Sequence, residues 1–460
     1  MLRLTAAEAL AGSRRAAHSL ADRGVTPGDR IAICGPQSSD PGVAAVEQAL
    51  IVQIAWAAIR CGITPVMINP ALPPAERELL IADCEPALQV TSSAAVKDVV
   101  AGPELATPAD SGALIARPMH YTSGTTGRSK GVWTGFLCAD QIANWWADEQ
   151  SQWSFDASDT TLVHGPLSSS APLRYSLLVL AAGGDVLLPG KFDPVAVARS
   201  LAEDRPTTAF TVPSHWQRLF ELPDLPPSPY RLLAHAGSAC PPEVKRRLHA
   251  WAGADRTWEF YGSTEGQFSA CVGTDWESRP GTLGRAREGR ELFIDDGVIW
   301  CATPEYSKFE YWRDPEKTAA AWRVTADGRP AFSVGDLGRL DDDGYLYIDG
   351  RREDLIITGG MNVYPAQVEA ALTSIEGIAD AAVFGVEDDA WGQRVCAVIV
   401  GDVPKSVIDT ELAIHLAGYQ RPKEFFRLTE IPRNAMGKVQ RLTLAEYLGI
   451  ARAIVNRSQS

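Results

Sequence analysis

The segment Tyr121-Thr-Ser-Gly-Thr-Thr-Gly-Arg-Ser-Lys-Gly131 contains three glycines, five serine or threonine hydroxyls and two cations within eleven positions. Glycines let backbone amides approach an anion, hydroxyls donate to phosphate oxygens, and Arg128 and Lys130 add positive charge. Two residues separate Gly127 from Lys130, whereas the lysine of a Walker loop directly follows its glycine. The segment therefore predicts a phosphate-binding loop of a different kind.

Short apolar runs alternate with helical patterns on both sides of this loop. Residues 30–34 and 65–69 have the composition of strands, and the helical pattern 43–59 lies between them. The same alternation returns in the strand-like run 185–188 and the helical pattern 194–203. Such alternation predicts βαβ units with a parallel sheet. Pattern 43–59 is interrupted by polar residues, so we predict a packed helix and no transmembrane segment.

The pattern of apolar and polar residues changes after residue 350, and about a hundred residues follow that position. A helical pattern at 365–372 and strand-like runs at 381–384 and 395–400 indicate a separate α+β domain. A chain of 460 residues is also too long for one ordinary core. We therefore predict an α/β protein, with a large multi-layer domain over residues 1–352 and a small domain over residues 353–460.

Composition limits the partners of the protein. The formal net charge is −14, which argues against a nucleic-acid binder because such proteins need basic surfaces. The first 24 residues have an amphipathic pattern that includes acidic residues, unlike a signal peptide. We predict a cytoplasmic protein with a small-molecule partner, and the sequence leaves open whether it forms a homo-oligomer.

Further signatures follow the glycine-rich loop along the chain. They are Ala236-Gly237-Ser238, Tyr261-Gly-Ser-Thr-Glu265, Gly335-Asp336-Leu337, Gly350-Arg-Arg-Glu-Asp-Leu-Ile-Ile357, Gly359-Gly-Met-Asn-Val-Tyr-Pro-Ala-Gln-Val-Glu369 and Pro432-Arg-Asn-Ala-Met-Gly-Lys438. With the loop, these seven segments resemble, in the same order, the adenylate-forming superfamily of acyl-CoA synthetases, aryl-CoA ligases, luciferases and non-ribosomal adenylation domains. The resemblance implies a large α/β domain that binds ATP and an acid, followed by a small mobile domain.

The resemblance also assigns roles to individual residues of the large domain. It implies a phosphate loop formed by Thr122, Ser123, Gly124, Thr125, Thr126, Gly127 and Lys130. It implies an adenine site formed by Ala236, Gly237, Ser238, Tyr261 and Gly262. Thr264 would contact the α-phosphate and Glu265 would hold Mg²⁺, a hard cation that prefers carboxylate oxygen beside phosphate.

Other roles that the resemblance implies lie between residues 336 and 438. Asp336 and Arg351 would bind the ribose, and a fixed carboxylate can accept from both ribose hydroxyls. Glu353 would be the hinge, and Gly359 and Gly360 would line the thiol tunnel. Lys438 would neutralise charge that forms on an oxygen during catalysis.

One segment departs from the pattern of the superfamily. In Pro166-Leu-Ser-Ser-Ser-Ala-Pro172, Ser169 occupies a position where the superfamily usually has a histidine. The resemblance places Ser169, Ser170 and Ala171 at the acyl pocket. We interpret His164 as an ordinary packed or capping residue. Two interpretations of Arg174 stay open, a contact with a second carboxylate of the acid and a charge on a helix surface, and we favour the second.

The resemblance implies an acid–thiol ligase that uses ATP, Mg²⁺ and coenzyme A. The acid would attack the α-phosphorus to give an acyl-adenylate, and the thiol would then take the acyl group. Two alternatives stay open: an adenylation enzyme that loads a carrier-protein pantetheine, and a non-catalytic nucleotide-binding relative. The overall sequence pattern is most similar to that of bacterial fatty- and bile-acid-type acyl-CoA synthetases, but the sequence does not identify the acid.

Overall fold

The structure is a computed structural model that describes residues 1–35, 38–103, 114–122, 129–351, 354–388, 390–433, 439 and 441–450. The chain divides into two units. The first unit comprises Met1–Leu292, Cys301–Phe332 and Asp342–Leu346, and the second comprises Phe293–Trp300, Ser333–Asp341 and Tyr347–Ser460. The predicted boundary between residues 352 and 353 falls outside the described residues and stays a prediction.

The strands are short and occur along the whole chain. They are β1 Leu2–Leu4, β2 Arg30–Cys34, β3 Thr64–Ile68, β4 Leu88–Val90, β5 Leu114–Ala116, β6 Met119–Thr122, β7 Lys130–Trp133, β8 Phe136–Cys138, β9 Thr160–Val163, β10 Asp185–Leu188, β11 Thr208–Thr211, β12 Leu232–His235, β13 Thr257–Gly262, β14 Gln267–Val272, β15 Arg285–Ala286, β16 Glu291–Asp295, β17 Val298–Ala302, β18 Glu310–Tyr311, β19 Trp322–Val324, β20 Pro330–Phe332, β21 Asp336–Leu340, β22 Leu346–Arg351, β23 Ile356–Thr358, β24 Met361–Val363, β25 Ile378–Asp388, β26 Gly392–Gly401 and β27 Glu424–Arg427.

Most helices lie between these strands. They are α1 Ala6–Asp22, α2 Pro41–Arg60, α3 Pro74–Asp83, α4 Ser93–Val100, α5 Ala139–Trp153, α6 Ser170–Ala181, α7 Pro194–Glu203, α8 Pro213–Phe220, α9 Pro242–Ala252, α10 Gly273–Ser278, α11 Pro315–Ala321, α12 Pro365–Thr373, α13 Lys405–His415 and α14 Arg441–Tyr447. The alternation of strand and helix that the apolar runs predict is confirmed.

The largest sheet of the first unit has the order β1-β10-β9-β11-β12-β13-β14-β15. Strands β10, β9, β11, β12 and β13 are parallel, and the flanking strands are antiparallel. Every residue of β9, β11 and β12 is buried, as expected for parallel strands covered on both faces. The direction of strand addition reverses between β9 and β11, which is where open α/β sheets bind ligands.

A second sheet of this unit has the order β18-β7-β6-β3-β2-β4. Strands β4, β2, β3 and β6 are parallel to one another. Strand β7 turns back antiparallel to β6, and β18 adds antiparallel to β7. The glycine-rich segment connects β6 to β7, so a hairpin at the edge of the parallel part of this sheet carries the candidate phosphate loop.

Helix α2 is the one candidate membrane span among the described residues, by length and composition alone. It begins after Asp40, whose side chain accepts from the amide of Val43. In its apolar window, 67% of the residues are buried inside the protein, and Gln48 exchanges hydrogen bonds with the backbone of Gly190. These contacts agree with the predicted packed helix.

The second unit contains a sheet of order β24-β23-β26-β25, with β27 paired to β26. Strands β25 and β26 pair over ten positions and form its centre. Helices α12 and α13 cover one face, where Val368, Leu372, Ile408 and Leu412 are buried against the strands. The second unit therefore has a hydrophobic core of its own.

Candidate active site

The hairpin of β6 and β7 holds the ends of the candidate phosphate loop. Thr122 pairs with Lys130 across the hairpin, so the loop leaves and re-enters the sheet at adjacent positions. The hydroxyl of Tyr121 donates to Asp83 at 2.6 Å, which anchors this end of β6 to helix α3. The predicted residues Ser123, Gly124, Thr125, Thr126 and Gly127 lie outside the described residues.

The candidate adenine residues follow two neighbouring strands of the large parallel sheet. Ala236 is buried directly after β12, while Gly237 and Ser238 are exposed. Gly237 has a φ of +90°, a backbone conformation that glycine adopts without strain. Tyr261 lies near the end of β13 and stacks on Phe268, with ring centroids 4.6 Å apart. The carboxyl end of the sheet thus brings these predicted residues together.

A tight turn carries the candidate metal ligand. The amide of Ser263 donates to the carbonyl of Gly266 at 2.8 Å, so Thr264 and Glu265 lie at the tip of the turn between β13 and β14. A Cβ on Gly262 would lie 2.9 Å from the same Gly266 carbonyl, so only glycine fits this position. Thr264 and Glu265 are both partly exposed, and a partly exposed carboxylate can reach a cation.

Tyr311 connects this turn to the phosphate hairpin, a contact that the sequence did not predict. Its hydroxyl donates to Oε1 of Glu265 at 3.0 Å, and Nζ of Lys130 lies 5.9 Å from the centroid of its ring. Strand β18 brings Tyr311 next to Val132 of β7. One tyrosine therefore orients the candidate metal carboxylate and contacts the candidate phosphate lysine.

The acyl-pocket segment begins where the large sheet reverses its direction of growth. Ser169 precedes the first turn of α6, and its amide donates to the carbonyl of Pro166 at 3.0 Å. Ser169, Ser170 and Ala171 are all partly buried. The segment leaves the sheet after β9, directly beside β11, and its role in the acyl pocket stays a prediction.

His120 holds this segment from the other sheet, and the sequence did not reveal it. Its Nδ1 lies 2.9 Å from the carbonyl oxygen of Ser168, so the Nδ1–H donates. Burial lowers the pKa of His120 to about 4, and the ring is therefore neutral at pH 7. A histidine on the strand that enters the phosphate loop thus lies beside the position where Ser169 replaces the usual histidine.

Two interpretations of nearby side chains have different outcomes. The packed histidine is confirmed, because His164 is buried among the rings of Phe192, His215 and Trp216. The surface charge at Arg174 is wrong, because its guanidinium pairs with Glu149, whose side chain is 1% exposed.

Arg174 belongs to a buried network. Arg287 pairs with Glu149 at 3.4 Å and with Asp148 at 3.0 Å, and Arg290 pairs with Asp148 at 2.8 Å. The buried carboxylates of Asp148 and Glu149 need cationic partners, and Arg174 of α6 is one of these cations.

A buried ion pair lies directly behind the candidate adenine residues. Lys245 of α9 pairs with Glu259 of β13, and both side chains are at most 6% exposed. Burial raises the pKa of Glu259, and the charge of Lys245 opposes this shift. His235 of β12 lies beside Glu259 in the register of the sheet. The pair thus joins α9 to β13, the strand that carries Tyr261, next to the strand after which Ala236 lies.

The second unit contains the remaining predicted residues. Asp336 is 6% exposed and begins β21, after Gly335 with a φ of +81°. Gly359 and Gly360 are exposed at the turn between β23 and β24. The backbone of Arg351 ends β22, whereas Glu353 and Lys438 lie outside the described residues.

Trp391 covers one of the two exposed glycines. The amide of Gly359 donates to the carbonyl of Trp391 at 2.7 Å, and a Cβ on Gly359 would lie 2.9 Å from the indole. The ring is 56% exposed beside the turn. No local pattern in the sequence marks Trp391, because 31 positions separate it from Gly360 and the pairing of Thr358 with Gly392 brings the two segments together.

The family model described as AMP-binding enzyme matches residues 2–117 and 116–298. The model of the AMP-binding enzyme C-terminal domain matches residues 367–438. Both matches fall on segments whose signatures and fold are described above.

Two curated relatives are CoA ligases. The chain is 28% identical over 490 aligned positions to the long-chain-fatty-acid–CoA ligase FadD13 of Mycobacterium tuberculosis, covering 97% of this chain and 93% of that enzyme. It is 31% identical over 336 positions to the 3-(7a-methyl-1,5-dioxo-octahydro-1H-inden-4-yl)propanoyl:CoA ligase of Rhodococcus jostii. That alignment covers 71% of this chain and spans 64% of the Rhodococcus enzyme.

Two solved structures are similar to this chain over nearly its whole length. ATP-bound MatB from Rhodopseudomonas palustris is 29% identical, with a TM-score of 0.82 over 96% of this chain and 93% of that one. The o-succinylbenzoate CoA synthetase MenE from Bacillus subtilis, with its acyl-adenylate intermediate, is 26% identical, with a TM-score of 0.81 over 97% and 93%. The predicted fold of a large and a small domain is confirmed. The chain belongs to the AMP-binding enzyme family and is an ATP-dependent acid–thiol ligase that acts through an acyl-adenylate.

Proposed function

We propose that this ligase acts on an acid with a large apolar acyl part, such as a fatty or bile-type acid, and that the residues predicted above form its active site. The observation that carries the assignment of the site is the contact of Tyr311 with both Glu265 and Lys130. It joins a candidate metal ligand and a candidate phosphate ligand within one unit. The aromatic cluster behind Ala171, which includes Phe210 and Phe260, supports an apolar acid.

In the first half-reaction, the residues of the hairpin hold the triphosphate, and the acid carboxylate attacks its α-phosphorus. Lys130 and Thr264 position the phosphates, and the adenine binds between Ala236 and Tyr261. Mg²⁺ fits the donor set, because Glu265 offers a carboxylate that Tyr311 keeps oriented. When bound, it neutralises phosphate charge, while catalysis by the chain is mainly positioning and charge stabilisation.

In the second half-reaction, we propose that the small domain turns about Glu353 and presents the turn of Gly359 and Gly360 to the adenylate. The exposed indole of Trp391 would then contact the arm of the thiol substrate, since it forms one side of this turn. The two half-reactions thus need two different conformations at one site. Rotation about the hinge would provide both. We further propose a cytoplasmic enzyme.

The proposal is tested by pyrophosphate release and thioester formation with a panel of fatty, bile, aryl and dicarboxylic acids. We expect both products with coenzyme A, and the highest kcat/KM with a fatty or bile acid. If the adenylate forms but its acyl group is transferred to a carrier protein and not to coenzyme A, then coenzyme A is not the acyl acceptor. No pyrophosphate with any acid would contradict the activity.

Asp336→Ala is expected to raise the KM for ATP, because the ribose hydroxyls lose a buried acceptor. A loss of one hydrogen bond to a charged group predicts an effect of roughly 10-fold or more. Initial rates at varied ATP and saturating acid measure it, and the KM for the acid is the internal control. Unchanged ATP kinetics in a folded variant would show that Asp336 does not bind the ribose.

His120→Leu is expected to raise the KM for the acid roughly 10-fold, because the carbonyl of Ser168 loses its donor and the acyl segment loses its anchor. The matched control is His120→Asn, whose amide nitrogen can replace Nδ1 as the donor. Kinetics at varied acid should show restored KM in the asparagine variant. Equal defects in both variants would contradict a positioning role for the Nδ1–H.

A further inference from the structure

A buried polar pair lies among aromatic rings in the first unit. Tyr175 of α6 is 3% exposed and Gln267, the first residue of β14, is 7% exposed. Nε2 of Gln267 donates to the hydroxyl oxygen of Tyr175 at 3.4 Å. Around the pair, Phe210 stacks on Tyr175 with centroids 4.3 Å apart, and Trp153 meets the same ring edge-on at 5.5 Å. The pair is therefore a polar site in an apolar setting.

The hydrogen-bonding capacity of this pair is incomplete within the part of the chain that the structure describes. Oε1 of Gln267 is buried and has no partner. The hydroxyl of Tyr175 accepts from Gln267, so its own hydrogen stays available to donate. Burial raises the pKa of Tyr175 well above its usual value, so the phenol keeps this hydrogen.

The conclusion does not depend on which way the amide of Gln267 points. If the amide is turned over, Oε1 accepts from Tyr175, and the NH₂ group and a lone pair of the phenol are left over. In either orientation the pair has at least one unused donor and one unused acceptor. Buried groups of this kind are normally satisfied, by the protein, by water or by a ligand.

The position of the pair connects it to the acyl pocket. Tyr175 follows Ala171 by one turn of α6, and both belong to one hydrophobic cluster with Ala236, which directly follows β12. Gln267 is two residues after Glu265. The pair thus lies behind the segment that we propose for the acyl group, at the carboxyl end of the parallel strands.

We propose that the acid substrate carries a hydroxyl group in its acyl part, which forms one hydrogen bond with Gln267 and one with Tyr175. A hydroxyl is the smallest group that supplies one donor and one acceptor at a single atom. This inference rests on the proposed function, because it assumes that Ala171 lines the acyl pocket. It deepens that proposal by assigning the specificity for a hydroxylated acid to two residues.

The test compares matched acids that differ by one hydroxyl. The probes are ω-hydroxyalkanoates and alkanoates of equal length, and bile acids that differ at one ring hydroxyl, each assayed by pyrophosphate release with ATP. For at least one matched pair, the wild-type enzyme should prefer the hydroxylated acid by about 10–100-fold in kcat/KM. Tyr175→Phe with Gln267→Leu should remove or reverse this preference.

The preference is a ratio of two acids on the same preparation, so a general loss of activity in the double variant cancels. The single variants Tyr175→Phe and Gln267→Met keep the measurement informative if the double variant fails to fold. Equal or better turnover of every acid without the hydroxyl would overturn the inference and leave the proposed function standing. A preference that survives in both single variants would also overturn it. No pyrophosphate with any acid would contradict the proposed function itself.

Discussion

Lys438→Ala should slow adenylate formation roughly 10²–10³-fold, the usual cost of removing one preorganised donor from a developing charge. Lysine at this position is proposed to neutralise charge between the carboxylate and the α-phosphate while that bond forms. In the proposed rotation of the small domain, the lysine leaves the site before the thiol attacks. The same variant should therefore convert supplied acyl-adenylate to thioester at nearly the wild-type rate.

Both half-reactions of Lys438→Ala are measured on one preparation, by pyrophosphate release and by thioester formation from synthetic adenylate. Lys438→Arg is the matched control, because it keeps the charge. Equal losses in both half-reactions would mean that Lys438 is structural or that the domain does not turn. Retained adenylation would assign the catalytic lysine elsewhere, with Lys130 as the next candidate.

Glu265→Gln should reduce adenylate formation at least as strongly as Tyr311→Phe, because the amide removes the negative charge that we propose holds Mg²⁺. Tyr311→Phe removes only the hydroxyl that orients this carboxylate. Partners of a metal ligand typically contribute roughly 10–100-fold in metal affinity, and we expect an effect of that size for Tyr311→Phe. Magnesium titrations of pyrophosphate release, at saturating ATP, measure both effects.

The double variant distinguishes orientation of the carboxylate from an independent role for the tyrosine. If Tyr311 acts through Glu265, its substitution should have little further effect once Glu265 is glutamine. Additive losses would show that Tyr311 acts separately, for example on Lys130. A normal magnesium dependence in Glu265→Gln would place the metal ligand elsewhere.

Local sequence features predicted several strands and helices of the first unit. The apolar runs predicted strands such as β2 and β10, because a strand buried on both faces has a continuous apolar sequence. The glycine signatures also have a local cause, since Gly237 needs a positive φ and Gly262 lies against a carbonyl. These properties depend on a few neighbouring residues, and the pattern of those residues is visible in the sequence.

Contacts between distant segments were not predictable. The bond from His120 to Ser168 spans 48 positions, and that from Tyr311 to Glu265 spans 46. Arg174 was misinterpreted for the same reason, since Glu149 on another helix removes its charge from the surface. Such pairs depend on the register and packing of sheets, which no short pattern records.

The bond from His120 to Ser168 connects the strand that enters the candidate phosphate loop to the segment that we propose for the acid pocket. We expect that any displacement of this strand on nucleotide binding reaches the proposed acid site through this hydrogen bond. Equilibrium binding at two coupled sites is reciprocal, so each ligand changes the affinity of the other by the same factor. Removal of this bond should consequently reduce the effect of ATP on the affinity for the acid and the effect of the acid on the affinity for ATP by the same factor. Binding measurements in both orders of addition test this.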